Sequence, residues 1–383
     1  MNVITDTDAL ARACKSLIGQ PFATIDTEFL RENTFWPQLC LIQMAGPEGE
    51  YVVDPLSDEI DLAPFFELMA HEGTVKVFHA GRQDLEIIYA KAGIIPTPLF
   101  DTQVAAMVCG FGESIGYVNL VKRILGLELD KGARFTDWSR RPLSSKQLSY
   151  ALADVTHLRG VYSHLARELE ATRRTSWVAE EMATLSAPET YAADPDQAWR
   201  RLKMRVKNRR ALAVMMELAA WRDRQAQDQD VPRSRILRDE ALYDIANQSP
   251  TEPAKLGQLR TLSDGFARSA RAKEIVQIVK AGLDRDMTSV PKLNSGNALS
   301  PEATAISDLL RVLLKACAAR HRVATKLIAD SGDLDRIASE REPDVMALKG
   351  WRREVFGEEA LRVKRGEVAI SVVDGEIVTV PRA

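Results

Sequence analysis

Along the first 160 positions the apolar residues recur with two different periods, and the alternation between them predicts the fold class. Short β-branched or apolar runs read as strands at Ala23 to Thr27, Leu39 to Ala45, Tyr51 to Asp54 and Val75 to His79. Between and after them, Thr7 to Ile18, Leu62 to Met69, Asp84 to Ala92 and Gln103 to Cys109 carry apolar residues at helical spacing. Strands alternating with helices predict an α/β frame with a mixed sheet. Ser144 stands in N-cap position ahead of SKQLSYALADVTHLRGVYSHLARELE, a long amphipathic helix.

After about residue 170 the strand pattern nearly disappears. SAPETYAADPDQ, with two prolines and scattered acids, reads as a linker. Helical patterns then run from Val206 to about Leu283, with breaks at Val231-Pro232-Arg233 and near Ser249-Pro250. A second helical stretch follows the loop SVPKLNSGNALSPE, from about Pro301 to Gly366. It closes on EVAISVVDGEIVTV, where Asp374-Gly375 between alternating apolar runs predicts a type I′ hairpin. The expected division is therefore a first domain over 1–170, a helical or extended linker over 171–205, a helical domain over 206–285 and a last one with the C-terminal hairpin over 300–380.

Composition changes this picture little. A chain of 383 residues with 45% hydrophobic and 27% charged residues has the balance of a folded globular protein with two or three domains. No apolar stretch approaches the roughly 18 residues of a membrane span, and the N-terminus lacks a basic region leading into an apolar one, so a cytoplasmic protein without membrane contact is expected. Cys14, Cys40, Cys109 and Cys317 are far apart and form no CxxC, which points to four buried thiols rather than disulfides or zinc.

Charge placement says more than the net value of −3. Between Arg200 and Arg210 the run RRLKMRVKNRR contains no acid, whereas the first half of the chain is acidic. The run reads either as a solvated helix face or as a stripe that attracts a polyanion backbone; Arg200, Arg201, Lys203 and Lys207 are its candidate contacts.

The acids carry the chemistry. Asp26 and Glu28 sit two apart at the end of a strand pattern, so their carboxylates share one face and one small volume. Such a pair is costly unless a cation or proton lies between them, and a solvated loop is the other reading. Asp84 opens the helix after the strand VKVFHA, where it also suits the positive end of the helix dipole. Tyr150 and Asp154, four apart, face one way on the long helix.

Taken together and in this order, Asp-x-Glu, a central Asp and Tyr-x-x-x-Asp resemble the DEDD exonuclease superfamily. Position 149 is Ser149 where the histidine branch needs His, so the likeness is to the tyrosine branch. IDTEFLRENTFWPQLCLIQM, FHAGRQDLEII, LFDTQVAA and DKGARFTDWSRRPLSSKQLSYALADV resemble the ribonuclease D family in particular. DVPRSRILRDEALYDIA resembles the HRDC module, and LKGWRREVFGEEALRVKRGEVAI a second, more divergent copy of it. A helicase carrying that module would also need a GxxxxGK[ST] loop, and the chain has no Gly-Lys pair. The resemblance implies a ribonuclease H-like mixed-sheet exonuclease domain followed by two mainly helical HRDC-like domains.

It also implies a metal-dependent 3′–5′ exoribonuclease that releases 5′-mononucleotides by hydrolysis with two divalent ions, Mg²⁺ or Mn²⁺. By this resemblance Asp26 bridges both ions, Glu28 and Asp154 complete the nucleophile-side site, and Asp84 holds the leaving-group-side ion. Tyr150, whose ordinary pKa is near 10, is expected to orient the attacking water rather than to act as base. Phe29 either stacks on the terminal base or packs in the core. Asp101 is expected to cap the following helix and is left out of the ligand set. The implied partner is RNA, with transfer-RNA precursors carrying 3′ extensions as substrate and a monomer as the acting form. A DNA 3′ exonuclease of the same chemistry and a non-catalytic RNA-binding scaffold are the alternatives; the intact set of acids disfavours the scaffold.

Overall fold

The strand that carries the two paired acids, β2 (Phe22–Leu30), lies inside a six-stranded sheet of order β1-β4-β3-β2-β5-β6. Around it stand β1 (Val3–Ile4), α1 (Thr7–Leu17), β3 (Gln38–Ala45), β4 (Glu50–Val53), α2 (Ala63–Ala70), β5 (Val75–Phe78), α3 (Arg82–Ala92), β6 (Leu99–Asp101), α4 (Thr102–Val108), α5 (Tyr117–Leu125), α6 (Ser145–Ala171) and α7 (Thr175–Leu185). The structure is a computed structural model and describes residues 2–130, 132, 136–203, 205–263, 265–293 and 299–382. Parts of the DKGARF stretch, of the basic run and of the SVPKLNSGNALSPE loop lie outside the described residues.

β1 runs parallel to β4, β3 antiparallel to β4, β2 parallel to β5 and β5 parallel to β6, which makes the sheet mixed. β3 is apolar on both faces and buried along nearly its whole length, the pattern of a strand covered by helices on either side. The expected strands and helices of this half all form, with ends shifted by one or two residues, except that β2 runs three residues past the expected Thr27 to Leu30. The two- and three-residue strands β1 and β6 were not anticipated.

Two compact units make up the chain. One holds Met1–Glu28, Cys40–Thr190 and Gly296–Ala383; the other holds Phe29–Leu39 and Tyr191–Ser295. The second unit is helical, built on α8 (Arg209–Asp228), α9 (Arg233–Ile236), α10 (Asp239–Gln248), α11 (Pro253–Leu256) and α12 (Ala270–Asp284) around one apolar core. Val231-Pro232 separates α8 from α9, because proline cannot continue a helix through its missing N–H.

In the first unit the C-terminal helices pack on a core of their own. They are α13 (Pro301–His321), α14 (Thr325–Ile328), α15 (Ser331–Ser339), α16 (Gly350–Arg352) and α17 (Glu358–Lys364). The same unit joins them to the sheet half: Trp177 on α7 stacks on Trp351 at 4.6 Å, and Arg174 donates to the His321 carbonyl at 2.7 Å. β7 (Val368–Val373) and β8 (Glu376–Pro381) close the chain as an antiparallel hairpin, with Asp374 and Gly375 both at positive φ in the turn. None of the four cysteines forms a disulfide; three are buried, and Cys109 is only half-buried, unlike the expectation of four buried thiols.

Candidate active site

The site assembles where β2 meets α6. Ser144 caps α6 by a reciprocal box: its hydroxyl accepts from the Gln147 N–H, and the Gln147 side chain accepts from the Ser144 N–H at 3.0 Å. Ala151, Val155, Leu158, Val161, Leu165 and Leu169 form the buried stripe of the helix, which fixes its rotation and hence the direction of Asp154. The buried Thr24 hydroxyl on β2 is shared between the Val155 carbonyl at 2.9 Å and the Ala45 carbonyl at 3.0 Å, tying strand and helix together beside the acids.

Asp26, Glu28 and Asp154 bring carboxylate oxygens within 4.8 Å of one another, and all three residues are half-buried. Burial first, and then the charges of Asp84, Asp154 and Glu28, push the Asp26 carboxyl well above the usual carboxylate range. A cation between the oxygens removes that penalty. The donor set is oxygen only, which suits a hard divalent ion.

Asp84 lies in the first turn of α3, buried, and is not one of the three close carboxylates. It receives a hydrogen bond from the hydroxyl of Thr27, the residue between the two strand acids. Burial pushes its carboxyl up to about 7 against the lowering effect of that hydrogen bond. The turn before α3 is held from the other side: Asp101 accepts from the N–H groups of Ala80 at 3.2 Å and Gly81 at 2.8 Å while capping α4 through Gln103 and Val104. Ala80 sits at φ 56°, a conformation a side chain resists, and the Asp101 bonds oppose its relaxation. Asp101 thus caps its helix as expected and also clasps the Asp84 turn, a role with no local sequence signal.

Tyr150 is half-buried on the same face of α6 as Asp154. Burial, the charges of Asp154, Glu28 and Asp26, and a hydrogen bond with Asp154 all drive its phenol above its ordinary range, so it stays protonated at neutral pH. Trp138, buried, packs on its ring at 6.2 Å. A second tyrosine stands nearby: Tyr117 donates to the Ala153 carbonyl at 2.8 Å. Neither Trp138 nor Tyr117 was singled out from the sequence, although Trp138 falls inside DKGARFTDWSRRPL.

Phe29 is half-buried on β2 with the Arg31 guanidinium 5.9 Å from its ring centre. Within the helical unit the basic run divides. Arg209 and Arg210 donate to backbone carbonyls of residues 283–291, and Arg201 lies 3.8 Å from the buried Asp223. Arg200 lies over the Trp199 ring, and Lys203 and Lys207 are exposed. Among the described residues, no helix is long and apolar enough to cross a membrane.

Two family models match: one described as a 3′-5′ exonuclease over residues 1–170, and one described as an HRDC domain over 211–279. Ribonuclease D of Nitrobacter hamburgensis is 51% identical over 383 residues, covering 100% of both chains. The chain belongs to the ribonuclease D family. Ribonuclease D of Bartonella henselae is 47% identical, covering 99% of this chain and 94% of its own. The crystal structure of Escherichia coli RNase D, described as an exoribonuclease involved in structured RNA processing, is 29% identical with a TM-score of 0.81, covering 96% of this chain and 99% of that one. As a ribonuclease D, the chain is a 3′–5′ exoribonuclease whose catalytic half is the mixed-sheet domain.

Proposed function

We propose that this ribonuclease D trims 3′-extended transfer-RNA precursors in the cytoplasm, one nucleotide per cycle, releasing 5′-monophosphates with the help of two divalent ions, Mg²⁺ or Mn²⁺. The observation that carries the reading is the convergence of Asp26, Glu28 and Asp154 within 4.8 Å, oxygen against oxygen. The structured-RNA role of the Escherichia coli relative supports the substrate class.

Asp26, Glu28 and Asp154 would hold the first ion, and Asp84 with Asp26 would hold the second. When bound, such ions would acidify a water and offset charge on the phosphorus oxygens and the departing 3′ oxygen. The protonated Tyr150 hydroxyl, which cannot serve as base, fixes the water's direction by hydrogen bonding. Thr27 and Asp101 keep Asp84 and its turn in place. Phe29 offers a ring to the terminal base, and Arg200, Arg201, Lys203 and Lys207 attract the RNA backbone in a salt-sensitive way.

The test uses purified protein with 3′-extended transfer RNA and matched single-stranded DNA, in Mg²⁺, Mn²⁺ or chelator. Asp26→Asn is expected to abolish trimming while leaving the protein folded. Tyr150→Phe is expected to slow it by about 100-fold or more, the scale of a lost proton-positioning group. Trimming of RNA by folded Asp26→Asn at the wild-type rate would falsify the centre, and a preference for the DNA would move the substrate class.

A further inference from the structure

We propose that Trp138, clamped by Arg141 and Asp54, is the positioning residue that holds the Tyr150 ring, and that without this clamp the tyrosine loses its effect on the reaction. The inference rests on the reading of Tyr150 as the water-orienting group.

Tyr150 projects from the first turns of α6, is only half-buried, and meets its own helix through the hydrogen bond with Asp154, which holds the hydroxyl end and leaves the face of the ring to be packed from outside the helix. Orienting a water requires a hydroxyl fixed to a fraction of an ångström. The ring that Tyr150 meets is Trp138, only 2% exposed, at 6.2 Å with 37° between planes. Among the described residues the Trp138 indole N–H has no hydrogen-bond partner, and the contacts they give Trp138 are its ring packing and its backbone carbonyl.

The backbone hold comes from one guanidinium. Arg141 donates to the Trp138 carbonyl at 2.7 Å and to the Arg140 carbonyl at 2.9 Å. Its other face donates to the Cys40 carbonyl on β3 at 2.7 Å and grips the buried Asp54, just past β4, with both carboxylate oxygens at 2.5 and 2.6 Å. A planar fork with five N–H groups makes these contacts at once; a lysine cannot. On the other side of Trp138, Asp137 accepts from the Ser139 N–H at 3.0 Å, closing the turn. The loop that presents Trp138 to Tyr150 is thereby bolted to β3 and to the end of β4, while the Gln147 side chain on α6 donates to its Thr136 hydroxyl at 3.3 Å.

The experiment compares kcat and KM on single-stranded RNA for wild type, Trp138→Ala, Trp138→Phe, Arg141→Lys, Tyr150→Phe, Asp26→Asn, Arg141→Lys with Tyr150→Phe, and the double variant Trp138→Ala/Tyr150→Phe. Thermal melting and Mn²⁺ titration of each protein check folding and the acid site. The clamp predicts that Trp138→Ala lowers kcat by a factor close to that of Tyr150→Phe, with KM changed less than about twofold. It also predicts that the double variant is no slower than Tyr150→Phe, because the two losses are one loss. Trp138→Phe keeps most of the rate, since no described residue accepts from the indole N–H. If Trp138→Ala does not fold, Arg141→Lys carries the same prediction, and its loss must vanish in the Tyr150→Phe background. Losses that multiply in the double variant, or a fall in Mn²⁺ affinity that accounts for the loss, overturn the clamp while Asp26→Asn remains inactive. Activity in Asp26→Asn overturns the catalytic reading itself.

Discussion

The Thr24 hydroxyl on β2 lies 2.9 Å from the carbonyl of Val155 on α6, one residue beyond Asp154. Two residues along β2 stands Asp26. A buried hydroxyl therefore ties the strand that carries two acids to the helix that carries the third, in a region where like charges push the elements apart.

Thr24→Val keeps the volume and removes the donor. Chemical denaturation is expected to show a loss of about 1 kcal/mol. The Mn²⁺ concentration for half-maximal activity rises as Asp154 drifts from Asp26. A variant with unchanged metal dependence would show that core packing alone sets this distance.

Thr27→Val acts on the other flank. Asp84 loses the hydroxyl that donates to it, and a buried carboxylate left short of a donor costs about 1–3 kcal/mol. The account expects slower turnover at low metal concentration, substantially recovered at high Mn²⁺, in a steady-state metal titration. Equal slowing at every metal concentration would contradict Asp84's assignment to an ion.

The Asp54 pair gives a pH signature in stability. Burial would raise its carboxyl, but the Arg141 hydrogen bonds, the Leu56 N–H and the Arg141 charge together hold it below the ordinary carboxylate range. A carboxyl depressed in the folded state stabilises the fold above its unfolded value of about 3.9, and that stabilisation is lost as pH falls through the lower folded value. The urea midpoint of wild type should thus exceed that of Asp54→Asn by a constant margin near neutral pH, shrinking below about pH 4. A margin that persists in acid would mean that the pair is not ionised in the fold.

The mixed-sheet class, the helical second half and the family were legible before any coordinates, because long amphipathic runs and the Asp-x-Glu, Asp84 and Tyr150–Asp154 pattern are local signals. β1 and β6 were not: two or three residues carry no period, and only pairing with β4 and β5 makes them strands. Thr24, Thr27, Asp101 and Arg141 were equally invisible as site supports. Each acts through a hydrogen bond to a residue far along the chain, and a hydroxyl or guanidinium looks the same in sequence whether it meets water or a buried carbonyl. The basic run shows the same limit, since its charges could be counted while the carbonyls that occupy Arg209 and Arg210 could not.

Anomalous scattering from crystals grown with Mn²⁺ and a short RNA resistant to cleavage tests the central claim most directly. The account predicts one manganese ligated by Asp26, Glu28 and Asp154 and a second between Asp26 and Asp84, with the terminal phosphate beside both. Manganese bound elsewhere, or three carboxylates that stay empty while RNA is seated on the enzyme, would contradict it.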